Sequence, residues 1–343
     1  MIKLSRDIGI DLGTTSVLVY LDGKGIVINE PSAVALDKVT GKVLEVGAAA
    51  KKMLGRTPGN IVAARPLKHG AISDYDMTAT MLSVYLKRIT KMSLVKPRVV
   101  VSVPSGITEV EERAVIQATM EAGARRVYLI EEPLAAAMGA GMNIRGAGGS
   151  MVIDIGGGTT DIAVLSLNNV VVSTSIDTAG DAFDDAIIQY VRERYQVLIG
   201  SQTAEEVKMA IGCVNPRPEA LVMTVKGRNL STGLPQEVDI TSVDVMHALT
   251  TPCRDILYAV RSILEKTEPE LVADISRSGI TLTGGGSLLY GFDQLIYRST
   301  GISCHVADDA ILCVALGCGK SLRWIDQMQE GTINLARRKL MAD

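Results

Sequence analysis

The apolar positions between Val99 and Gly141 change period repeatedly. Val99–Val103 and Val127–Ile130 are short runs rich in β-branched residues and predict strands. Between them, residues 107 to about 123 carry a helical pattern, and a second helix is predicted from Pro133. The first helix opens on Thr108-Glu109-Val110-Glu111, a capping box in which the Thr hydroxyl and the Glu carboxylate satisfy exposed backbone N–H groups. Gly123 stands where such a helix is expected to stop. Strands and helices in alternation predict α/β layers on a largely parallel sheet. The glycine-rich stretch Gly146–Gly149 reads as a turn between two halves, not as a long linker.

Two internal repeats say more than any single element. Ile8-Gly9-Ile10-Asp11-Leu12-Gly13-Thr14-Thr15 recurs as Val152-Ile153-Asp154-Ile155-Gly156-Gly157-Gly158-Thr159-Thr160. In each copy a strand delivers an Asp, turns at glycine and threonine, and returns as a second strand, Val17–Leu21 or Ile162–Leu167. The second repeat pairs Ala137-Met138-Gly139-Ala140-Gly141 with Ala315-Leu316-Gly317-Cys318-Gly319, each within a small-residue helix. Asp11 and Asp154 lie 143 positions apart, whereas Gly139 and Gly317 lie 178 apart, so the second half carries a net insertion of about 35 residues. We place it after Gly180, in a region that includes a hairpin-like Glu219–Ile240. Two related halves with different decorations predict a clamshell with a central cleft. Residues 1–142 with 313–343 are expected to form one domain, with a small subdomain at about 33–70. Residues 143–312 form the other, with a small subdomain at about 181–245.

Composition agrees with that size. A chain of 343 residues that is 47% hydrophobic has material for two buried cores, and with only 3% aromatics they must be built from aliphatic side chains. The net charge of −3 gives no reason to expect a nucleic-acid partner. Five scattered cysteines without a CxxC pair, beside only 3 His, argue against a zinc site and read as reduced cytosolic thiols. No secretory signal core precedes Lys3, Arg6 and Asp7, and no run of about 20 apolar residues is long enough to span a bilayer.

The duplicated hairpins suggest chemistry. Glycine lets backbone approach a ligand, and the N–H groups of a tight turn form a nest for an anion. The candidate phosphate contacts are Gly13, Thr14, Thr15 and Ser16 in the first copy and Gly156, Gly157 and Gly158 in the second. Asp11 and Asp154, at the strand ends, offer hard oxygens to Mg²⁺, usually through water because that ion dehydrates reluctantly. Two such hairpins on one polyphosphate would give the metal-neutralised geometry that phosphoryl transfer requires. A third turn, Gly284-Gly285-Gly286-Ser287, follows a predicted strand Ile280–Thr283 and could let a base or ribose lie against backbone. Each stretch alone reads as an ordinary turn. The duplicated frame is what separates them from that reading.

Asp11-Leu12-Gly13-Thr14, Asp154-Ile155-Gly156-Gly157-Gly158-Thr159-Thr160 and Leu282-Thr283-Gly284-Gly285-Gly286 resemble the two phosphate motifs and the adenosine motif of the actin, sugar kinase and heat-shock chaperone superfamily. Its fold is α/β, with two related ribonuclease-H-like halves around a nucleotide cleft. Within it the chain resembles the bacterial rod-shape MreB family from about Arg6 to about Leu322, through Gly55–Gly59, Ile130–Ala137, Leu198–Gly200 and Thr203–Lys208. The resemblance implies binding of ATP and Mg²⁺. Glu132 and Thr159 are implied to orient the water that attacks the γ-phosphate, and Glu205 and Lys208, with Glu206 and Val207 between them, to lie near the adenosine. For Glu132, the residues alone leave a second reading open, a surface acid at a helix start before Pro133. The chain departs from the family pattern at Gly13–Ser16, which reads Gly-Thr-Thr-Ser in place of Gly-Thr-Ala-Asn, and at Ala310, where Pro is usual.

From Tyr85 to Arg98 the chain carries Lys87, Arg88, Lys91, Lys96 and Arg98 without an acid. Met92, Leu94 and Val95 sit among these charges, a combination suited to an anionic bilayer surface or, equally, to a solvated helix end whose apolar residues close the core. The resemblance implies homopolymeric filaments on the inner face of the cell membrane, cytoplasmic and peripheral, with weak ATPase activity. It also implies partnership with membrane proteins of the shape complex and of cell-wall synthesis. A related actin-like filament for DNA segregation or organelle positioning is the alternative. A sugar kinase is less favoured because it would need an acceptor pocket.

Overall fold

The computed structural model describes residues 7–90 and 95–328. The chain divides into two units, one of them Ile144–Ala310 and the other drawn from the chain on either side of it.

The outer unit begins with β1 (Ile8–Leu12), β2 (Ser16–Leu21) and β3 (Gly25–Pro31), an antiparallel meander. Helix α1 (Tyr75–Thr90) leads to β4 (Arg98–Val103), α2 (Glu109–Glu121), β5 (Arg126–Glu131) and α3 (Glu132–Gly139). The sheet order is β5-β4-β1-β2-β3, with β4 parallel to both its neighbours. Ile8 pairs with Val99 and Ile10 with Val101, and all four are fully buried. Val100, on the opposite face of β4, is buried as well, and burial on both faces explains the unbroken apolar run. The predicted capping box is present, Thr108 Oγ1 accepting from the Glu111 amide and Glu111 Oε2 from the Thr108 amide at 2.8 Å. It corrects the expected start of the helix from residue 107 to Glu109, because the residue that caps a helix lies outside it.

The inner unit repeats this arrangement. It holds β6 (Ser150–Ile155), β7 (Thr160–Ser166), β8 (Asn169–Ile176), α4 (Gly180–Tyr195), α5 (Ser201–Ile211), α6 (Thr250–Lys266), β9 (Ile280–Thr283) and β10 (Cys304–Val306). Its sheet order is β8-β7-β6-β9-β10, with β6 to β8 antiparallel and β9 parallel to β6 and β10. Three meandering strands followed by two parallel ones therefore occur twice. The return strand β7 ends at Ser166 and not at the expected Leu167, because Leu167 and Asn168 take positive φ to turn the chain into β8.

Each unit also carries a three-stranded sheet: Val34–Asp37, Val43–Val46 and Ile61–Ala64 in one, Val197–Leu198, Val222–Asn229 and Pro235–Thr241 in the other. The last two form the hairpin expected within Glu219–Ile240. Helix α7 (Cys313–Ser321) returns to the outer unit and crosses α3. A Cβ on Gly139 would fall 1.7 Å from the carbonyl oxygen of Cys313, and one on Gly317 1.8 Å from that of Ala135. Only glycine admits this approach, which is why the small-residue motif appears in both helices.

Candidate functional site

The two Asp-to-Thr hairpins fold alike. In the outer unit the amide of Gly13 donates to the carbonyl of Ser16 at 3.1 Å, and in the inner unit Gly156 donates to Thr159 at 2.9 Å. In each, the Asp pairs across the hairpin with the residue seven positions on: Asp11 with Leu18, and Asp154 with Asp161. Among the described residues, no acceptor meets the amides of Thr14 and Thr15 in the first turn, or of Gly157, Gly158 and Thr159 in the second. Rows of unpaired N–H groups on a tight turn are the structural requirement for an anion nest.

The side chains of the first hairpin divide their work. Thr14 is buried and its Oγ1 accepts from the amide of Gly70 at 2.9 Å, so the hydroxyl proton remains to donate elsewhere. Gly70 is a site component that sequence reading missed, since the contact spans 56 positions. Ser32 donates to the carbonyl of Gly13 at 2.5 Å and fixes the turn from beneath. Thr15 Oγ1 is buried without a hydrogen-bond partner, a cost of about 1–3 kcal/mol that marks the hairpin as unsatisfied by protein alone. Asp11 is half-buried, whereas Glu132, at the start of α3, is only 7% exposed. That burial overturns the reading of Glu132 as a surface acid. Glu131 caps the helix by position and Pro133 is its second residue. The Asp11 and Glu132 carboxylates both lie close enough to push the thiol of Cys318 upward, although burial is the larger cause.

In the inner unit Asp154 is 5% exposed and accepts from the Thr283 hydroxyl at 2.7 Å. Burial pushes its carboxyl up to about 7, Thr283 pulls it down, and the charge of Asp161, fully buried across the hairpin, raises it. Two buried acids opposite each other suit a divalent cation, and Asp154 is a hard-oxygen donor of the type Mg²⁺ takes. Among the described residues no group of three or more His, Cys, Asp or Glu forms a self-contained metal cage. Thr159 is buried and its carbonyl closes the hairpin.

The carbonyls of Gly156 and Gly157 accept from the first amides of α4, Gly180 at 3.1 Å and Asp181 at 2.7 Å. Lys208 on α5 donates to the carbonyl of Gly180 and forms an ion pair with Asp184, both at 2.8 Å. Burial pushes Asp184 up to about 6, against the pull of Lys208. On α5, Ala204, Val207 and Ile211 form the buried face and Glu206 is exposed. The side chain of Val207 therefore belongs to the core. Gly284 holds a φ of +78°, and a Cβ there would strike the carbonyl oxygen of Ile155 at 2.3 Å. Gly285 is exposed, Gly286 is packed on Ile155, and the buried Ser287 hydroxyl is spent on the Gly284 carbonyl at 2.6 Å.

A family model described as MreB/Mbl protein matches residues 5–330. The cell shape-determining protein MreB of Escherichia coli (strain K12) is 50% identical over 328 residues, covering 94% of each chain. The chain belongs to the MreB/Mbl family. Among solved structures, MreB5 of Spiroplasma citri bound to ADP is similar with a TM-score of 0.90 and 38% identity, over 94% of this chain and 97% of that one. The MamK double helical filament, at 21% identity and a TM-score of 0.78 over 93% and 98% of the two chains, shares the fold. That fold is actin-like.

Ala310, where the resemblance implied Pro, is buried. Its carbonyl accepts from Gly284 at 2.9 Å, a bond that Pro would also supply. The departure at Thr15 has the consequence described above, an added hydroxyl without a partner. Of the surface segment, Met92 and Leu94 lie outside the described residues and Val95 is half-buried. Arg98 is withdrawn from that basic stretch. Its guanidinium grips Asp7 through two bonds, at 3.0 and 2.7 Å, and also pairs with Asp326. Among the described residues no helix is long and apolar enough to cross a membrane.

Proposed function

We propose that this chain binds one Mg-ATP through both of its hairpins, hydrolyses it slowly, and polymerises into filaments that lie on an anionic membrane surface. There it would shape the cell by organising wall-synthesis proteins. The observation that carries the reading is the duplicated hairpin, with open backbone amides and an acid at the strand end in each copy. The relative MreB5 has been solved bound to ADP and to AMPPNP, and the E. coli relative is named for determining cell shape, both of which support the proposal.

In this reading the amides of Thr14, Thr15, Gly157, Gly158 and Thr159, with the Thr14 hydroxyl, bind phosphate oxygens. Asp11 and Asp154 hold the Mg²⁺, which when bound neutralises phosphate charge. Glu132, a buried carboxylate, and Thr159 orient the attacking water, a task for which an acceptor of fixed position is suited. Gly284, Gly285 and Gly286 present flat backbone to the nucleoside, with the half-buried Glu205 of α5 beside it. Val95, with Met92 and Leu94, enters the lipid boundary.

Sedimentation and electron microscopy with anionic vesicles test this. Filaments are expected with Mg-ATP and on lipid, and few with nucleotide omitted. A chain that stays unassembled under all these conditions would contradict the proposal. Replacing Met92, Leu94 and Val95 with Ser is expected to reduce vesicle flotation while leaving nucleotide binding unchanged, and unaltered flotation removes the membrane assignment.

A further inference from the structure

Lys208 is held far from any freedom to search for a ligand. Its side chain is 15% exposed, and its ammonium pairs with the Asp184 carboxylate and donates to the Gly180 carbonyl. The peptide group that carries the Gly180 carbonyl also carries the Asp181 amide, and that amide donates to the Gly157 carbonyl at 2.7 Å. The peptide group of the Gly157 carbonyl in turn carries the Gly158 amide, one of the open donors of the second hairpin. Ammonium, peptide and peptide therefore stand in one line, each donating to the next. A positive charge at the head of such a chain polarises every member and leaves the last N–H a stronger donor. A parallel strand of the same brace runs from the Gly180 amide to the Gly156 carbonyl.

We propose that Lys208 is a positioning residue for the phosphate-binding hairpin, acting through the peptides of Gly180 and Gly157 on the Gly158 amide, and not a contact to the base. The proposal rests on the nucleotide reading above and deepens it. It assigns α5 a task at the phosphate end, where the family resemblance implied the adenosine end. Asp184 is part of the device: it fixes the ammonium from the second side, so that the bond to Gly180 does not wander.

The test compares Mg-ATP with adenosine, which has the base and ribose but no phosphate. K208M leaves Asp184 buried without its cation, so K208M/D184N, which removes that charge, is measured alongside. Isothermal titration is expected to show Mg-ATP affinity falling roughly 3- to 30-fold in both variants, the range for residues that act on a ligand without touching it. Adenosine binding, followed by ligand-observed NMR, is expected to stay within about twofold. In nucleotide-free protein the Asp181 and Gly158 amide protons are expected to move upfield as the chain of bonds weakens. Adenosine binding that falls in step with Mg-ATP, or unchanged Mg-ATP affinity, would overturn the proposal. A wild-type chain that binds no Mg-ATP removes the nucleotide reading and this proposal with it.

Discussion

The crossing of α3 and α7 makes a prediction whose sign is opposite to that of helix propensity. Gly317→Ala places a methyl group 1.8 Å from the Ala135 carbonyl oxygen, and Gly139→Ala places one 1.7 Å from that of Cys313. A carbon and a carbonyl oxygen settle at about 3.3 Å, so each methyl requires a local displacement of roughly 1.5 Å. The struck atoms are backbone of the opposite helix, which cannot rotate away as a side chain would. Overpacking of this kind costs about 1–3 kcal/mol or more, and the gain from replacing helical Gly with Ala offsets at most about 1 kcal/mol. A net loss of about 2 kcal/mol corresponds to a melting temperature lower by about 4–8 °C for a unit of this size. Thermal melts of nucleotide-free protein read it. Gly59→Ala serves as the control, because a Cβ there meets nothing within 4 Å and should change stability by less than about 0.5 kcal/mol. The double variant is expected to cost less than the sum, since one displacement of α7 relieves both clashes. A Gly317→Ala protein that melts at or above wild type would refute the reasoning, because propensity would then outweigh packing at the crossing.

Three further outcomes follow from the site and its surroundings. The Asp154 carboxyl lies at about 7 in place of its ordinary 3.8, so its stabilising proton is fully held below about pH 4 and lost as pH rises through 7. Asp154→Asn keeps an acceptor for Thr283 and does not titrate; in cation-free, nucleotide-free protein its stability gain over wild type should grow from pH 5 to pH 8, up to about 4 kcal/mol. An equal difference at both pH values, read by urea denaturation, would contradict the assignment. Glu132→Ala is expected to slow phosphate release by about 100-fold or more with Mg-ATP affinity little changed, and an unaltered rate would remove Glu132 from the chemistry. Arg98→Met removes the two-bond cation beside the buried Asp7 carboxylate and should destabilise by about 3 kcal/mol, while Arg98→Lys, lacking the planar fork, should recover only part of it; a melt unchanged in Arg98→Met would show the pair contributes nothing.

What was legible in the sequence was periodic or duplicated. The hairpins at Asp11 and Asp154, the helix cap at Thr108 and the small-residue helices all declare themselves within a few residues, because turns, caps and close crossings restrict residue type locally. What was not legible depends on partners far apart in the chain. Thr283 reaches Asp154 across 129 positions, and Lys208 reaches Gly180 across 28. No spacing rule ties these together, since the sheet and α4 bring them into register only after folding. Arg98, the last residue of the basic stretch, is a further case: its charge is claimed by Asp7 beside β1, 91 positions away. Ser287 and Val207 stood inside ligand-like motifs, yet their side chains serve the turn and the core. The third strand of each main sheet carried no motif. In the inner unit, the turn that leads into it places Leu167 at positive φ beside Asn168, and leucine is not a residue type that announces a turn.

The central claim is that two hairpins in one duplicated chain serve a single nucleotide. Titration of nucleotide-free protein with Mg-ATP measures this directly through stoichiometry. The account predicts one equivalent per chain, with Asp11→Ala and Asp154→Ala each weakening that same event. Two independent equivalents, one for each hairpin, or no binding, would contradict it.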